Sequence, residues 1–198
     1  AGIRALARVE TADADGLRVR VLGVEATPAP EPSFVLVQAL AKGDRDEQAI
    51  ETATELGVDA VVPWQAARSV VQWRADRAER GIHRWEALTT AAAKQSRRTR
   101  RPRVEPLART SEVCRLLADA TLGLVLHEAA ELPLTAVELP SQGAVVLVVG
   151  PEGGIAPEEL AAFASAGATT VRLGAEVLRA SSAGPAALAV LNARTRWR

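Results

Sequence analysis

The stretch that most limits the fold is Val145–Leu160, VVLVVGPEGGIAPEEL. Its first five residues are unbroken apolar. Such a strand must be covered on both faces, which places it inside a parallel sheet. It runs into Gly150-Pro151-Glu152-Gly153-Gly154 and then a helix, where Pro157 sits early enough that its missing N–H is harmless. The same alternation recurs along the chain. Phe34–Leu40 and Val58–Val62 read as strands, with Pro63 stopping the second. Asp44–Leu56 reads as a helix, Asp44 capping its start and Gly57 ending it. Arg84–Arg98 has helical spacing, with Trp85, Leu88 and Ala92 on one face. Val113–Ala120, Pro157–Ala166 and Ser182–Arg194 read as further helices, and Leu122–Leu126 and Thr169–Leu173 as strands. Together they predict an α/β domain with a largely parallel sheet over residues 33–198. Ahead of it, Arg4–Glu10 and Leu17–Glu25 alternate apolar and polar residues around a turn at Asp13, Asp15 and Gly16. Residues 1–32 therefore read as a small β unit followed by a proline-rich linker at Thr27–Pro32.

Composition narrows the function classes. Hydrophobic residues make up 48% of the 198, and 24 basic residues balance 24 acidic ones. A sizeable core can form and disorder is excluded. With no net charge, any contact with nucleic acid must come from local clustering. The single cysteine, Cys114, rules out an intrachain disulfide and reads as a small buried apolar residue. No apolar run is long enough for a membrane span and no leader is visible, so a cytoplasmic protein is expected. The chain starts at Ala1 and contains no methionine, which predicts further residues upstream. Two widely separated histidines and one cysteine predict no metal site.

Three segments carry chemistry. The turn at residues 150–154 lies where parallel sheets bind ligands, beyond the carboxyl end of a strand. It matches neither the P-loop nor the G-x-G-x-x-G pattern. Glu152, Glu158 and Glu159 oppose a phosphate, so an uncharged or cationic ligand fits better, and the sulfonium of S-adenosylmethionine meets that description. The second segment, Leu173–Gly184 (LGAEVLRASSAG), also follows a strand and enters a helix. Gly174 can turn the chain there, Ser181 and Ser182 can cap the helix, and Arg179 stands among small and apolar residues. The third is Lys94–Arg103, KQSRRTRRPR, with six cations and no acid. Lys94, Arg97, Arg98, Arg100, Arg101 and Arg103 repel one another unless they face phosphates, so this segment is the expected RNA contact. His83 reads as solvent-facing and His127 as an ordinary loop histidine within reach of the ligand edge.

Taken in order, Lys42-Gly43-Asp44, Thr54–Val58, Arg68–Val71, Ala93–Arg98, Gly150–Gly154 and Leu173-Gly174…Val177-Leu178-Arg179 form a pattern. The sequence resembles the RsmE family of ribosomal-RNA uridine-N3 methyltransferases of the SPOUT superfamily. The resemblance covers residues 33–198. It implies a trefoil-knotted methyltransferase domain, an obligate homodimer, and an N-terminal PUA-like β-barrel domain of which residues 1–32 are the later part. It implies S-adenosylmethionine held around Leu126, His127, Val149, Gly150, Gly153, Gly154, Leu173, Gly174, Val177, Leu178 and Ser182. It implies methylation of N3 of a uridine in 16S ribosomal RNA, the substrate being the small ribosomal subunit. Arg179 is then the catalytic residue, orienting the uracil or stabilising its anion, because a guanidinium is no base. The base stays open between Glu128, Glu152, water and a residue of a second subunit. The chain departs from the family at Ser181 and Ser182, where many members carry an acidic residue and threonine, and at Ala156, often serine. Other readings are a SPOUT RNA methyltransferase acting on a ribose or another base, and a non-catalytic RNA-binding ribosome-assembly protein.

Overall fold

The computed structural model describes residues 2–74 and 76–197. Strands β1 (Ile3–Asp13) and β2 (Gly16–Ala26) form an antiparallel hairpin. A six-stranded sheet follows, built from β3 (Ser33–Ala39), β4 (Ala60–Trp64), β5 (Arg103–Val104), β6 (Leu122–Leu126), β7 (Ala144–Val149) and β8 (Thr169–Val171). Its order is β5-β4-β3-β7-β6-β8 and every pairing is parallel. The helices are α1 (Arg45–Glu55), α2 (Asp76–Gln95), α3 (Thr110–Ala118), α4 (Pro157–Ser165) and α5 (Ala180–Arg194), with a short 3-10 turn at Leu134–Ala136.

Period-2 alternation divides each central strand between two cores. Phe34, Leu36, Val145, Leu147 and Val149 pack with Ile50 and Ala53 of α1, Trp85 of α2, and Ala187, Leu188 and Leu191 of α5. Val35, Val37, Val146 and Val148 pack on the other face with Val113 and Leu117 of α3 and Phe163 of α4. Gly184 lets α5 lie close on the sheet, since a Cβ there would stand 3.1 Å from Leu36. Cys114 lies on α3, and burial pushes its thiol up.

Several expected boundaries move. Pro63 does not stop β4 but lies within it. Its carbonyl accepts the Ala108 N–H at 2.8 Å on the side where β5 has already ended, so its missing N–H leaves no ladder bond unmade. Helix α2 begins eight residues before the expected Arg84 and stops at Gln95, and Arg97 then takes a left-handed φ of 56°. Asp44 stands at the N-cap of α1 with φ 59° and makes no side-chain cap bond. Neither Ser181 nor Ser182 caps α5. Arg179 holds that position, and its carbonyl accepts the N–H groups of Ser182 and Ala183 at 2.9 Å each. The expected strand to Leu173 ends at Val171.

Two polar knots tie the layers. Glu159, buried at the start of α4, accepts the Ala67 N–H at 2.9 Å, the Thr110 hydroxyl at 2.7 Å and the Ala156 N–H at 3.2 Å. One carboxylate thus joins the starts of α3 and α4 to the loop after β4, and it satisfies the Ala156 N–H although Ala156 has no capping side chain. At the opposite end of the sheet, Asp59 accepts the Phe34 N–H at 2.8 Å and pairs with Arg196 and, at 3.9 Å, with Arg98. Arg196 also donates to Pro32 and Gly57 and lies 4.0 Å over the Phe34 ring.

Candidate functional site

The carboxyl ends of β6, β7 and β8 are neighbours, and the segments leaving them enclose one cavity of about 360 Å3. Leu126, His127 and Glu128 line it after β6, residues 150–152 with Gly154 and Ile155 after β7, and the run from Arg172 to Ala180 after β8. Arg45 enters from α1, and Val149, Val171 and Ala183 close the floor. Leu126, Val149, Ile155, Leu173 and Leu178 line it together with His127 and the charged side chains of Arg45, Glu128, Glu152, Arg172, Glu176 and Arg179, a mixed lining that suits a small molecule with both apolar and polar parts.

Close packing fixes the first turn. A Cβ on Gly150 would stand 2.6 Å from Ile155 Cγ1, so only glycine lets Ile155 fold across the end of β7. Gly154 has φ 73°, a left-handed conformation that side chains rarely adopt. Glu152 points away from a base's role: its Oε1 accepts the Lys42 N–H and Arg45 Nη1, each at 3.1 Å. It ties the turn to the start of α1. There Asp46 is buried, and burial pushes its carboxyl up, offset in part by the N–H groups of Ala41 and Glu47. His127 Nδ1 accepts the Ala129 N–H at 3.2 Å. Arg179 is exposed, lines the cavity and forms no ion pair among the described residues.

The cavity brings together Leu126, His127, Val149, Gly150, Gly154, Leu173, Gly174, Val177, Leu178 and Arg179. Two expected members stand outside it. Gly153 is one residue off the wall, its carbonyl accepting Arg68 Nη1 at 3.2 Å. Ser182 is exposed on the first turn of α5. Sequence reasoning missed Arg45, Ile155 and Arg172, and named Glu176 and Ala183 only as members of the segment Leu173–Gly184. Arg172 could have been found as the neighbour of Leu173. Arg45 could not, because nothing local says that β3 pairs with β7.

The basic segment lies at the other pole. Arg98 donates to Thr54 O at 2.7 Å and reaches Asp59 at the amino end of β4. Burial works against its charge and Asp59 supports it. Arg100 donates to Thr27 O at 2.6 Å, and the Gly2 N–H bonds Thr99 O at 3.0 Å, which fastens the hairpin here. Arg101 donates to the Thr90 hydroxyl and Arg103 pairs with Glu105. Lys94 and Arg97 form no ion pair among the described residues. No group of three metal-ligating side chains occurs among the described residues, and no helix there is long and apolar enough to cross a membrane.

Comparison with known proteins agrees with this geometry. Residues 28–192 match the family model for an RNA methyltransferase domain. Ribosomal RNA small subunit methyltransferase E of Mycobacterium tuberculosis is 47% identical over 203 aligned residues, covering 99% of this chain and 78% of the relative. The Bacillus subtilis protein of the same name is 30% identical over 81% of this chain and 65% of its own length. Among solved structures, a ribosomal RNA small subunit methyltransferase E from Neisseria gonorrhoeae bound to S-adenosyl methionine superposes with a TM-score of 0.85 at 28% identity. It covers 98% of this chain and 80% of that one. A Legionella pneumophila methyltransferase in complex with the same cofactor gives 0.84 at 28%, over 98% of this chain and 80% of its own. The chain belongs to the ribosomal RNA small subunit methyltransferase E family.

Proposed function

We propose that this chain transfers a methyl group from S-adenosylmethionine to N3 of a uridine in 16S ribosomal RNA. The observation that carries the reading is the meeting of three strand-end segments in one cavity that the Arg179 guanidinium also lines. The cavity is large enough for such a cofactor. Its chemistry fits as well: Glu128, Glu152 and Glu176 line it alongside Arg45, Arg172 and Arg179, so a cofactor with both a sulfonium and a carboxylate finds opposite charges there. Leu126, Val149, Gly150, Gly154, Leu173, Gly174 and Leu178 would hold the cofactor.

When bound, S-adenosylmethionine supplies an electrophilic methyl group. The chain's own residues do the rest. Val149, Ile155, Leu173 and Leu178 keep water from the reacting atoms, which strengthens every charge interaction among them. Arg179 faces the carbonyl oxygens of the uracil, where a guanidinium serves as a charge partner and not as a base. Its positive charge stabilises the anion that develops as N3 loses its proton. Glu152 is engaged by Arg45 and the Lys42 N–H. Glu128 and Glu176 form no ion pair among the described residues and are the carboxylates placed to take that proton.

The trefoil knot belongs to the same reading. Helix α5 follows the edge strand β8, yet packs against α1, β3 and β7. Just before it, Arg172 is bracketed by the segment between β6 and β7: its N–H bonds Leu132 O at 3.0 Å and its carbonyl accepts the Leu134 N–H at 2.8 Å. Such a passage supports a threaded chain. A homodimer is supported by Val177 and Leu178, apolar side chains left 76% and 40% exposed at the cavity mouth of the single chain. Residues 1–32 contribute to a PUA-like RNA-binding unit, and the enzyme works in the bacterial cytoplasm.

The test is transfer of a labelled methyl group to small ribosomal subunits. Arg179→Ala should lower it by about a hundredfold or more, the scale of removing one group that stabilises developing charge. Calorimetry should show cofactor affinity within a few-fold of wild type. Loss of cofactor affinity instead would move Arg179 from the substrate to the cofactor.

A further inference from the structure

The two poles of the sheet pose a problem for RNA binding. Lys94–Arg103 lies at the amino ends of β3 and β4, whereas the cavity lies at the carboxyl ends of β6, β7 and β8. A strand of five residues separates its ends by about 17 Å. A uridine whose base enters the cavity carries a phosphate on either side, and these remain at the mouth. Within one chain the cations of the basic segment are too distant for these phosphates, so this chain's own candidates are the exposed cations nearer the cavity.

Beside Arg179, the exposed Arg172 lines the cavity, and two more exposed cations, Lys42 and Arg68, are tied to its Glu152-Gly153 turn; none of these three is in an ion pair among the described residues. The Lys42 main chain is held by Glu152, and Arg68 is held by Gly153, the next residue of the same turn. Arg172 lines the cavity from the facing segment. Arg68 is the best seated. Its Nη1 donates to the Gly153 carbonyl at 3.2 Å, and its Cβ and carbonyl lie 3.3 Å from where a Cβ on residue 153 would be. Gly153 does not line the cavity, and its φ is not left-handed. Its small size makes room for Arg68. The Gly153 carbonyl satisfies one guanidinium nitrogen without neutralising the charge, which leaves Arg68 ordered, exposed and cationic.

We propose that Arg68, seated on Gly153, is a principal phosphate contact for the RNA strand at the cavity mouth, with Lys42 on the same rim and Arg172 on the facing one. This rests on the reading of the chain as an RNA methyltransferase. The basic segment then contacts RNA remote from the target, beside the hairpin, and the rim contacts the target nucleotide.

The test uses the full chain, small ribosomal subunits lacking the methyl group, and a salt series. Arg68→Gln should weaken subunit binding about fivefold or more and reduce the slope of log affinity against log salt by about one. Arg68→Lys should restore the slope, and S-adenosylmethionine affinity should stay at the wild-type value in both. An unchanged slope in Arg68→Gln overturns the proposal. So does a loss of cofactor affinity equal to the loss of subunit affinity, because Arg68 would then be a strut of the turn. Failure of the activity reading looks different: wild type binds subunits and cofactor but transfers no methyl. The Arg68 claim is still decided by the binding slope.

Discussion

Arg179 and Gly150 show how much rests on single positions. Arg179 gives its main chain to α5, where its carbonyl accepts two N–H groups, so its guanidinium projects from a rigid helix start and not from a loose loop. In the proposed reaction, such a placement would pre-organise charge for the transition state. Gly150 acts through absence. Gly150→Ala drives a methyl into Ile155, an overpacking expected to cost about 1–3 kcal/mol in a denaturant titration. Because Ile155 lines the cavity, cofactor affinity should fall as well. Unchanged values of both would mean that Ile155 relaxes freely and the turn is not shaped by its glycine.

The elements were legible where apolar pattern alone decides them. Leu122–Leu126 was expected and found at the same bounds, and Val145–Val149 gains only Ala144. Elsewhere tertiary partners overrule local signals. Pro63 looks like a strand terminator, yet its missing N–H falls where no partner strand runs. The pair Arg103–Val104 forms β5 only because β4 offers an edge. Asp59 and Arg196 lie 137 residues apart and no pattern links them. Their side chains are only 16% and 10% exposed, so removing one partner leaves a nearly buried charge. Asp59→Ala strands both Arg196 and Arg98 and should lower unfolding free energy by about 3–5 kcal/mol. A change below 1 kcal/mol would show that the C-terminal end of α5 is held by other contacts.

Across the whole molecule, the sheet separates two poles, and the sequence reveals what each contains but not that they are opposite. The cavity turns were readable because each is contiguous and follows a strand. Arg45 was not, and Arg68 was legible only as part of the family pattern and without its partner, since both act on residues 85 or more positions away. The basic segment was readable as a charge cluster, but its members divide. Arg98 and Arg100 point inward to main-chain carbonyls, whereas Lys94 and Arg97 carry no ion pair among the described residues. Changing Lys94 and Arg97 together to Ala should reduce the salt slope of subunit binding by about 1.5 and leave the melting temperature alone. Arg98→Ala should do the reverse. Equal effects of both on binding would contradict this division.

The account stands on one cavity, at the carboxyl ends of three parallel strands, being the place where a uracil nitrogen receives a methyl group. Its most direct measurement is nucleoside mass mapping of 16S ribosomal RNA after small subunits lacking the modification are incubated with this protein and S-adenosylmethionine. The account predicts 3-methyluridine at a single position with wild type and none with Arg179→Ala. A ribose-methylated or differently methylated base, or 3-methyluridine formed equally by Arg179→Ala, would contradict it.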